Sequence, residues 1–223
     1  MKAKQRTKTK TQKETTLVAF LLDRTGSMAS VKQETIGGFN GYIDELIKKP
    51  ECKDMKFHFT QFDTVSIDVV HDCVALDRVL KLNDGTYQPR GGTPLYDAIG
   101  KTIRAIQDKA NGSKVLFVTL TDGEENASSE WNQSTIKSLI KEKEDKDKWT
   151  FSYIGVGPDA WAANERLAAG TSGASNVLRA TRGKNTQRAY SHLAGATMAR
   201  CCTAGGQSMQ SVYGGAQLDK DEA

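Results

Sequence analysis

The sequence has no apolar run near the roughly 20 residues that a membrane-spanning helix needs, so no membrane contact is expected. Its four cysteines, Cys52, Cys73, Cys201 and Cys202, show no CxxC or Cys/His ligand spacing. Adjacent Cys201 and Cys202 point to different sides of a helix, which suits packing residues in a reducing compartment better than a redox pair or a zinc motif. The histidines, His58, His71 and His192, form no cluster and are expected to be structural. There is no phosphate-binding P-loop, no internal repeat, and no Ser/His/Asp or Cys/His grouping in a context suited to nucleophilic catalysis, so an enzyme is not expected. One-sided charge is also missing from most of the chain. Net charge is +4, but residues 1–14 carry Lys2, Lys4, Arg6, Lys8, Lys10 and Lys13 against Glu14 alone, which leaves the remainder close to neutral. That excludes a nucleic-acid-binding body and confines any anionic partner to a basic flexible arm, residues 1–15. The apolar run after the arm stops at Asp23 without a small-residue cleavage site, so a cytoplasmic location is expected rather than secretion.

What is present suits one globular domain of 223 residues, 38% hydrophobic and 26% charged. The chain is organised around Leu17-Val18-Ala19-Phe20-Leu21-Leu22-Asp23-Arg24-Thr25-Gly26-Ser27-Met28. Six apolar residues in a row read as a strand buried on both faces, the kind found in parallel sheets covered by helices. Asp23, Thr25 and Ser27 alternate in the turn leaving that strand, where open α/β sheets bind ligands. One carboxylate and two hydroxyls suggest a hard cation, which needs six oxygens and therefore further ligands from elsewhere.

In chain order, Ser30 is placed to cap a helix from about Val31 to Lys49 with Ile36, Phe39, Tyr42, Ile43, Leu46 and Ile47 inward, ended by Pro50. Met55 to Phe62 and Val65 to Val70 read as a hairpin, giving one antiparallel edge. A short helical run follows from Leu76 to Leu82, and then a polar loop leads to Pro89-Arg90-Gly91-Gly92-Thr93-Pro94, with Thr93 at a cap position and Pro94 opening a helix to about Asn111-Gly112. A second buried strand, Lys114 to Leu120, ends in Thr121-Asp122-Gly123-Glu124-Glu125-Asn126. A helix over Asn132–Lys146, a strand over Trp149–Val156, a helix over Asp159–Ala169, a short strand over Asn176–Ala180 and a helix over Thr186–Cys202 complete the domain, residues 16–202. Residues 203–223 read as a Gly-rich flexible tail. The fold class is α/β: a doubly wound, mostly parallel sheet with one antiparallel edge strand and helices on both faces.

Three strand-end loops thus offer oxygen ligands: Asp23/Thr25/Ser27, Thr93 and Asp122. Singly, Thr93 would serve as a helix cap, Asp122-Gly123 as a turn and Ser27 as a helix-start residue; together they point to a metal. Asp-Arg-Thr-Gly-Ser resembles the DxSxS element of von Willebrand factor A domains, with Thr25 in place of the first Ser; Gly91-Gly92-Thr93-Pro94 resembles their threonine loop and Thr121-Asp122-Gly123 their third element. The Asp-Arg-Thr-Gly-Ser-Met, Thr-Ile-Gly-Gly-Phe-Asn and Thr-Asp-Gly-Glu-Glu-Asn-Ala-Ser strings are similar to small stand-alone A-domain proteins of bacteria and phages. The resemblance implies a metal-ion-dependent adhesion site in which Thr25, Ser27 and Thr93 ligate Mg²⁺ or Mn²⁺ through hydroxyls, with Asp23 and Asp122 binding directly or through water. It further implies a protein partner that offers an Asp or Glu carboxylate to an open metal position. The chain is then expected to be a metal-dependent protein-binding module, an adaptor or assembly factor. The alternatives are a structural component of a phage or other assembly that uses its terminal arms, with virion association, and a phosphatase-like hydrolase. The last is disfavoured because haloacid-dehalogenase-type phosphatases need a second Asp where Thr25 stands. Arg24 either salt-bridges locally or contacts a partner; Asp63 and Asp97 are candidates for supporting the ligands from behind, and Glu124 and Glu125 for solvent-facing acids.

Overall fold

The run Leu17–Leu22 forms the centre of strand β1 (Thr16–Asp23), and every residue of that strand is buried. The structure, a computed structural model, describes residues 15–110, 112–147, 149–172, 176–181 and 184–202; the expected arm through residue 14 and the expected tail lie outside the described residues. After β1 come a 3₁₀ turn (Gly26–Val31), α1 (Lys32–Ile47), β2 (Lys56–Phe62), β3 (Ile67–Ala75), α2 (Leu95–Ile106), β4 (Lys114–Thr121), α3 (Gln133–Asp147), β5 (Trp149–Val156), α4 (Pro158–Ala168), β6 (Val177–Ala180) and α5 (Lys184–Cys202). The six strands form one sheet in the order β3-β2-β1-β4-β5-β6, parallel except for the antiparallel β2–β3 pair. The expected fold class is therefore the observed one.

Alternation along β1 divides the core in two. Val18, Phe20 and Leu22 face α1 and α5, whereas Leu17, Ala19 and Leu21 face α2, α3 and α4. Phe20 is the hub of the first layer, with its ring 5.5 Å from Phe39 in an edge-on contact and 6.3 Å from Tyr190 in a stacked one. Tyr190 lies so close to α1 that a Cβ on Gly38 would fall 2.2 Å from its ring, so the two helices meet only because residue 38 has no side chain. Phe20→Ala would remove these contacts, a loss of about 3–5 kcal/mol.

Four sequence expectations are corrected. Ser30 does not cap α1: its hydroxyl donates back to the Ser27 carbonyl, and α1 begins at Lys32 after a 3₁₀ turn. Ile47 is not inward but half exposed: Leu46, in the same last turn, takes the buried position, and the next residue is rotated away from it. The Leu76–Leu82 run forms only a 3₁₀ turn, Leu76–Arg78, since Asn40 binds both the N–H and the carbonyl of Leu82 and His71 Nε2 accepts from the Leu80 N–H. These side chains satisfy the backbone groups that a helix would have paired internally. The second hairpin strand starts at Ile67 rather than Val65 and runs on to Ala75, through a bulge in which Cys73 adopts φ 53°.

Candidate functional site

The carboxyl ends of β1 and β4 lie side by side, with Leu22 paired to Leu120, so Asp23 and the Thr121-Asp122 exit emerge together. Asp23 is fully buried. One carboxylate oxygen accepts the Thr25 N–H at 2.7 Å and the other the Thr121 hydroxyl at 2.5 Å. Among the described residues no cation pairs with it. Burial pushes its carboxyl up to about 7; the Thr121 and Thr25 hydrogen bonds oppose that rise and the nearby Asp122 charge reinforces it.

The Ser27 hydroxyl donates to Asp122 Oδ1 at 2.6 Å and lies 3.2 Å from the Thr25 hydroxyl. Thr93 comes from a different loop, yet a Cβ built on Gly123 would sit 3.6 Å from Ser27 Oγ and 3.7 Å from Thr93 Oγ1. Both hydroxyls therefore border the space that glycine at 123 leaves open. All five sequence-predicted ligands are brought to one pole of the sheet: Asp23, Thr25, Ser27 and Asp122 through a chain of hydrogen bonds and Thr93 across that space. The donor set, two carboxylates and three hydroxyls, is all oxygen and suits a hard divalent cation. A cleft of about 340 Å³ opens beside Asp122, lined also by Val156, Gly157, Pro158, Asp159 and Thr181.

The loops are clamped from behind. The Arg24 N–H donates to Phe62, its carbonyl accepts the Arg90 N–H, and Gly26 N–H donates to Gly91, whose φ of 67° favours glycine. Of the two roles open to Arg24, the local one is observed: its guanidinium is nearly buried and reaches Asp63 at 2.8 Å and Asp68 at 2.9 Å. Asp63 is also bound by Arg90 at 3.0 Å. Burial alone would raise the Asp63 carboxyl, but hydrogen bonds from Ser66, Arg90, Arg24 and Val65 hold it below the usual range.

Thr93 does not cap α2. Its N–H donates to Asn126 Oδ1 while its carbonyl accepts the Asn126 N–H, so the threonine loop is stitched to the loop after β4. Pro94 occupies the cap position, outside the helix, and two first-turn N–H groups of α2, on Tyr96 and Asp97, are taken by Glu125 and the Ser128 hydroxyl. Glu125 is thus not a solvent-facing acid: it also accepts from the Ala127 and Ser128 N–H groups. Glu124 is exposed as expected and pairs with Arg166. Asp97 receives the N–H groups of Ser129, Glu130 and Trp131 and so fixes the far side of the same loop. Residues not predicted as ligands also contribute. The Tyr87 hydroxyl, which no sequence pattern marked, donates to the Asp23 carbonyl at 2.7 Å; Thr121 and Asn126 lie within the stretch after β4 already singled out, and act as described.

No protein-family model matches the sequence, and no curated protein does. Solved structures do match in fold. The pilus adhesin SpaC from Lactobacillus rhamnosus GG superposes with a TM-score of 0.64 at 11% identity, over 83% of this chain and 30% of the adhesin. Proximal thread matrix protein 1 from the mussel byssus gives 0.57 at 16% identity, over 84% and 46%. The SpRpn10 VWA domain gives 0.55 at 13% identity, over 81% of this chain and 94% of that domain. The chain spans less than half the length of the adhesin and the thread protein. The fold is that of a von Willebrand factor A domain.

Proposed function

We propose that this chain, with its von Willebrand factor A fold, is a metal-dependent protein-binding module in which Asp23, Thr25, Ser27, Thr93 and Asp122 hold Mg²⁺ or Mn²⁺. One observation carries the reading: a fully buried carboxylate with no cation partner among the described residues stands at the focus of three hydroxyls and a second carboxylate. Burying an unpaired carboxylate is costly, and a divalent ion at the adjoining space would supply the missing charge. With Asp23 and Asp122 acting through water, the groups bound directly are neutral hydroxyls, and the ion stays electrophilic. Its remaining position would take an Asp or Glu side chain from a partner protein, with charge attraction guiding the encounter. The neighbours named for adhesion and thread matrix are themselves proteins of contact and assembly, which agrees with an adaptor or assembly role.

The contacts described at the pole are all made by oxygen and backbone groups, and Thr25 stands where a haloacid-dehalogenase-type phosphatase carries a second Asp, which favours binding over hydrolysis. Among the described residues no helix is long and apolar enough to cross a membrane. The alternative of a structural component acting through terminal arms rests on segments outside the described residues. Calorimetric titration of Mg²⁺ and Mn²⁺ into the wild type, Asp23→Ala and Asp122→Ala tests the metal. One site in the wild type, lost in both variants, is the expected result; equal heats in all three would overturn it. Protein capture that depends on Mg²⁺ and disappears in Asp122→Ala tests the module.

A further inference from the structure

A second cluster lies at the middle of the β2–β3 pair, on the face covered by α2, and nothing at the strand-end site uses it. β2 and β3 pair Phe57 with Val74 and Phe59 with His71, so the single residue His58 stands opposite two residues, Asp72 and Cys73. In a regular strand consecutive side chains point to opposite faces. Here the bulge, with Cys73 at φ 53°, turns both toward one imidazole nitrogen. Asp72 Oδ1 lies 3.3 Å from His58 Nδ1, Cys73 Sγ lies 3.9 Å from it, and the three ligand atoms are all within 4.8 Å of one another. Cys73 is the only non-glycine residue with positive φ among the described residues. A thiol, a carboxylate and an imidazole thus meet where the backbone is held in a conformation that β-strand geometry does not supply.

We infer that His58, Asp72 and Cys73 form a three-ligand site for a transition-metal ion of zinc type. A tetrahedral zinc bound by sulfur, nitrogen and oxygen sets its ligand atoms about 3.3–3.6 Å apart, so the observed spacings need only a small inward movement of the Cys73 sulfur. Thiolate with imidazole selects such an ion over Mg²⁺, which separates this site chemically from the all-oxygen one. The other ring nitrogen has an outer partner: Nε2 lies 3.1 Å from the Thr60 hydroxyl, which can accept the ring proton when Nδ1 binds a metal. His58 is fully buried in β2, with Nδ1 turned toward Asp72 and Cys73. Three protein ligands leave the fourth corner to water or to a ligand, and the half-exposed Asp72 side chain marks the solvent side.

Lys109, just beyond the end of α2, pairs with the same carboxylate. Its Nζ donates to both Asp72 oxygens, at 2.7 and 2.6 Å. A metal must displace at least one of these bonds, and the Cys73 thiol must release its proton to solvent as sulfur binds. Lys109 therefore competes with the metal, a sign opposite to that of a merely structural ion pair.

The test is a Co²⁺ titration of the full chain in saturating Mg²⁺, read by the near-ultraviolet thiolate-to-cobalt charge-transfer band, with Zn²⁺ added to displace the cobalt. One equivalent of Co²⁺ should develop the band, and Zn²⁺ should abolish it. Cys73→Ser should lose the band, Asp72→Asn should weaken binding at least tenfold, and Lys109→Gln should tighten it at least threefold. Circular dichroism establishes that each variant folds; Asp72 is exposed enough for its variant to serve if Cys73→Ser does not. No band in the wild type, a band that survives Cys73→Ser and so comes from another cysteine, or weaker binding in Lys109→Gln would each overturn the inference.

Discussion

Neutralising Asp23 should stabilise the metal-free protein at neutral pH, the reverse of the usual outcome for a buried, doubly hydrogen-bonded carboxylate. Its carboxyl stands at about 7 in the folded chain against 3.8 as a model group. A raised folded-state value means that the native state holds a proton that the unfolded chain has released. The resulting stability is present below pH 4 and is lost as pH rises to about 7, at ~1.4 kcal/mol per unit, to a ceiling of about 4 kcal/mol. Asp23→Asn removes this dependence. It keeps an acceptor for the Thr25 N–H but exchanges the charge-assisted bond from Thr121 for a neutral one, a loss of about 1–2 kcal/mol. The variant should therefore be more stable than wild type by about 2–3 kcal/mol at pH 8 in chelator, and the gap should close toward pH 4. Excess Mg²⁺ should reverse the order by stabilising only the wild type. Urea unfolding of both proteins from pH 4 to pH 8, with EDTA and then with Mg²⁺, measures all three effects. A wild-type-minus-variant difference that is flat with pH in EDTA, or an Asn variant that is less stable at pH 8, would refute the reasoning.

Three further outcomes are expected. Gly123→Ala should keep its fold, since its Cβ meets only ordinary contacts, but should weaken Mg²⁺ binding about tenfold or more (~1.4 kcal/mol) by filling the space between Ser27 and Thr93, as read by calorimetry. Arg24→Ala should lower unfolding free energy by about 2–3 kcal/mol because it leaves the buried Asp63 carboxylate with Arg90 alone, and urea melts will show it. Gly38→Ala should destabilise by about 1–3 kcal/mol, with loss of near-ultraviolet dichroism from a displaced Tyr190, whereas Gly37→Ala, which meets nothing, should not destabilise.

The central strand and the oxygen groups gathered at its end were legible because local rules govern them. An unbroken apolar run needs no partner to announce a doubly buried strand, and Asp23-Arg24-Thr25-Gly26-Ser27 carries three candidate ligands within five residues. What escaped was long-range bonding between side chains and backbone. Glu125 sits where turn chemistry suggests a solvated acid, yet it completes a helix start 29 positions earlier, and Asn40 takes over the backbone of Leu82, 42 residues away. Neither leaves a periodic trace. The Asp72–Cys73 bulge was equally hidden, because no strand period describes two neighbours turned the same way and His58 supplies the reason only from the adjoining strand.

The parallel pairing of β1 with β4 also bears on when this pole comes into being. Asp23 meets Thr121 across 98 positions and Ser27 meets Asp122 across 95, so each contact waits on closure of a loop spanning more than two-fifths of the 223-residue chain. Loops of that length close late and govern folding speed. A partner that grips this pole would therefore discriminate mature molecules from nascent or partly unfolded ones, and assembly would carry its own check on the quality of its parts.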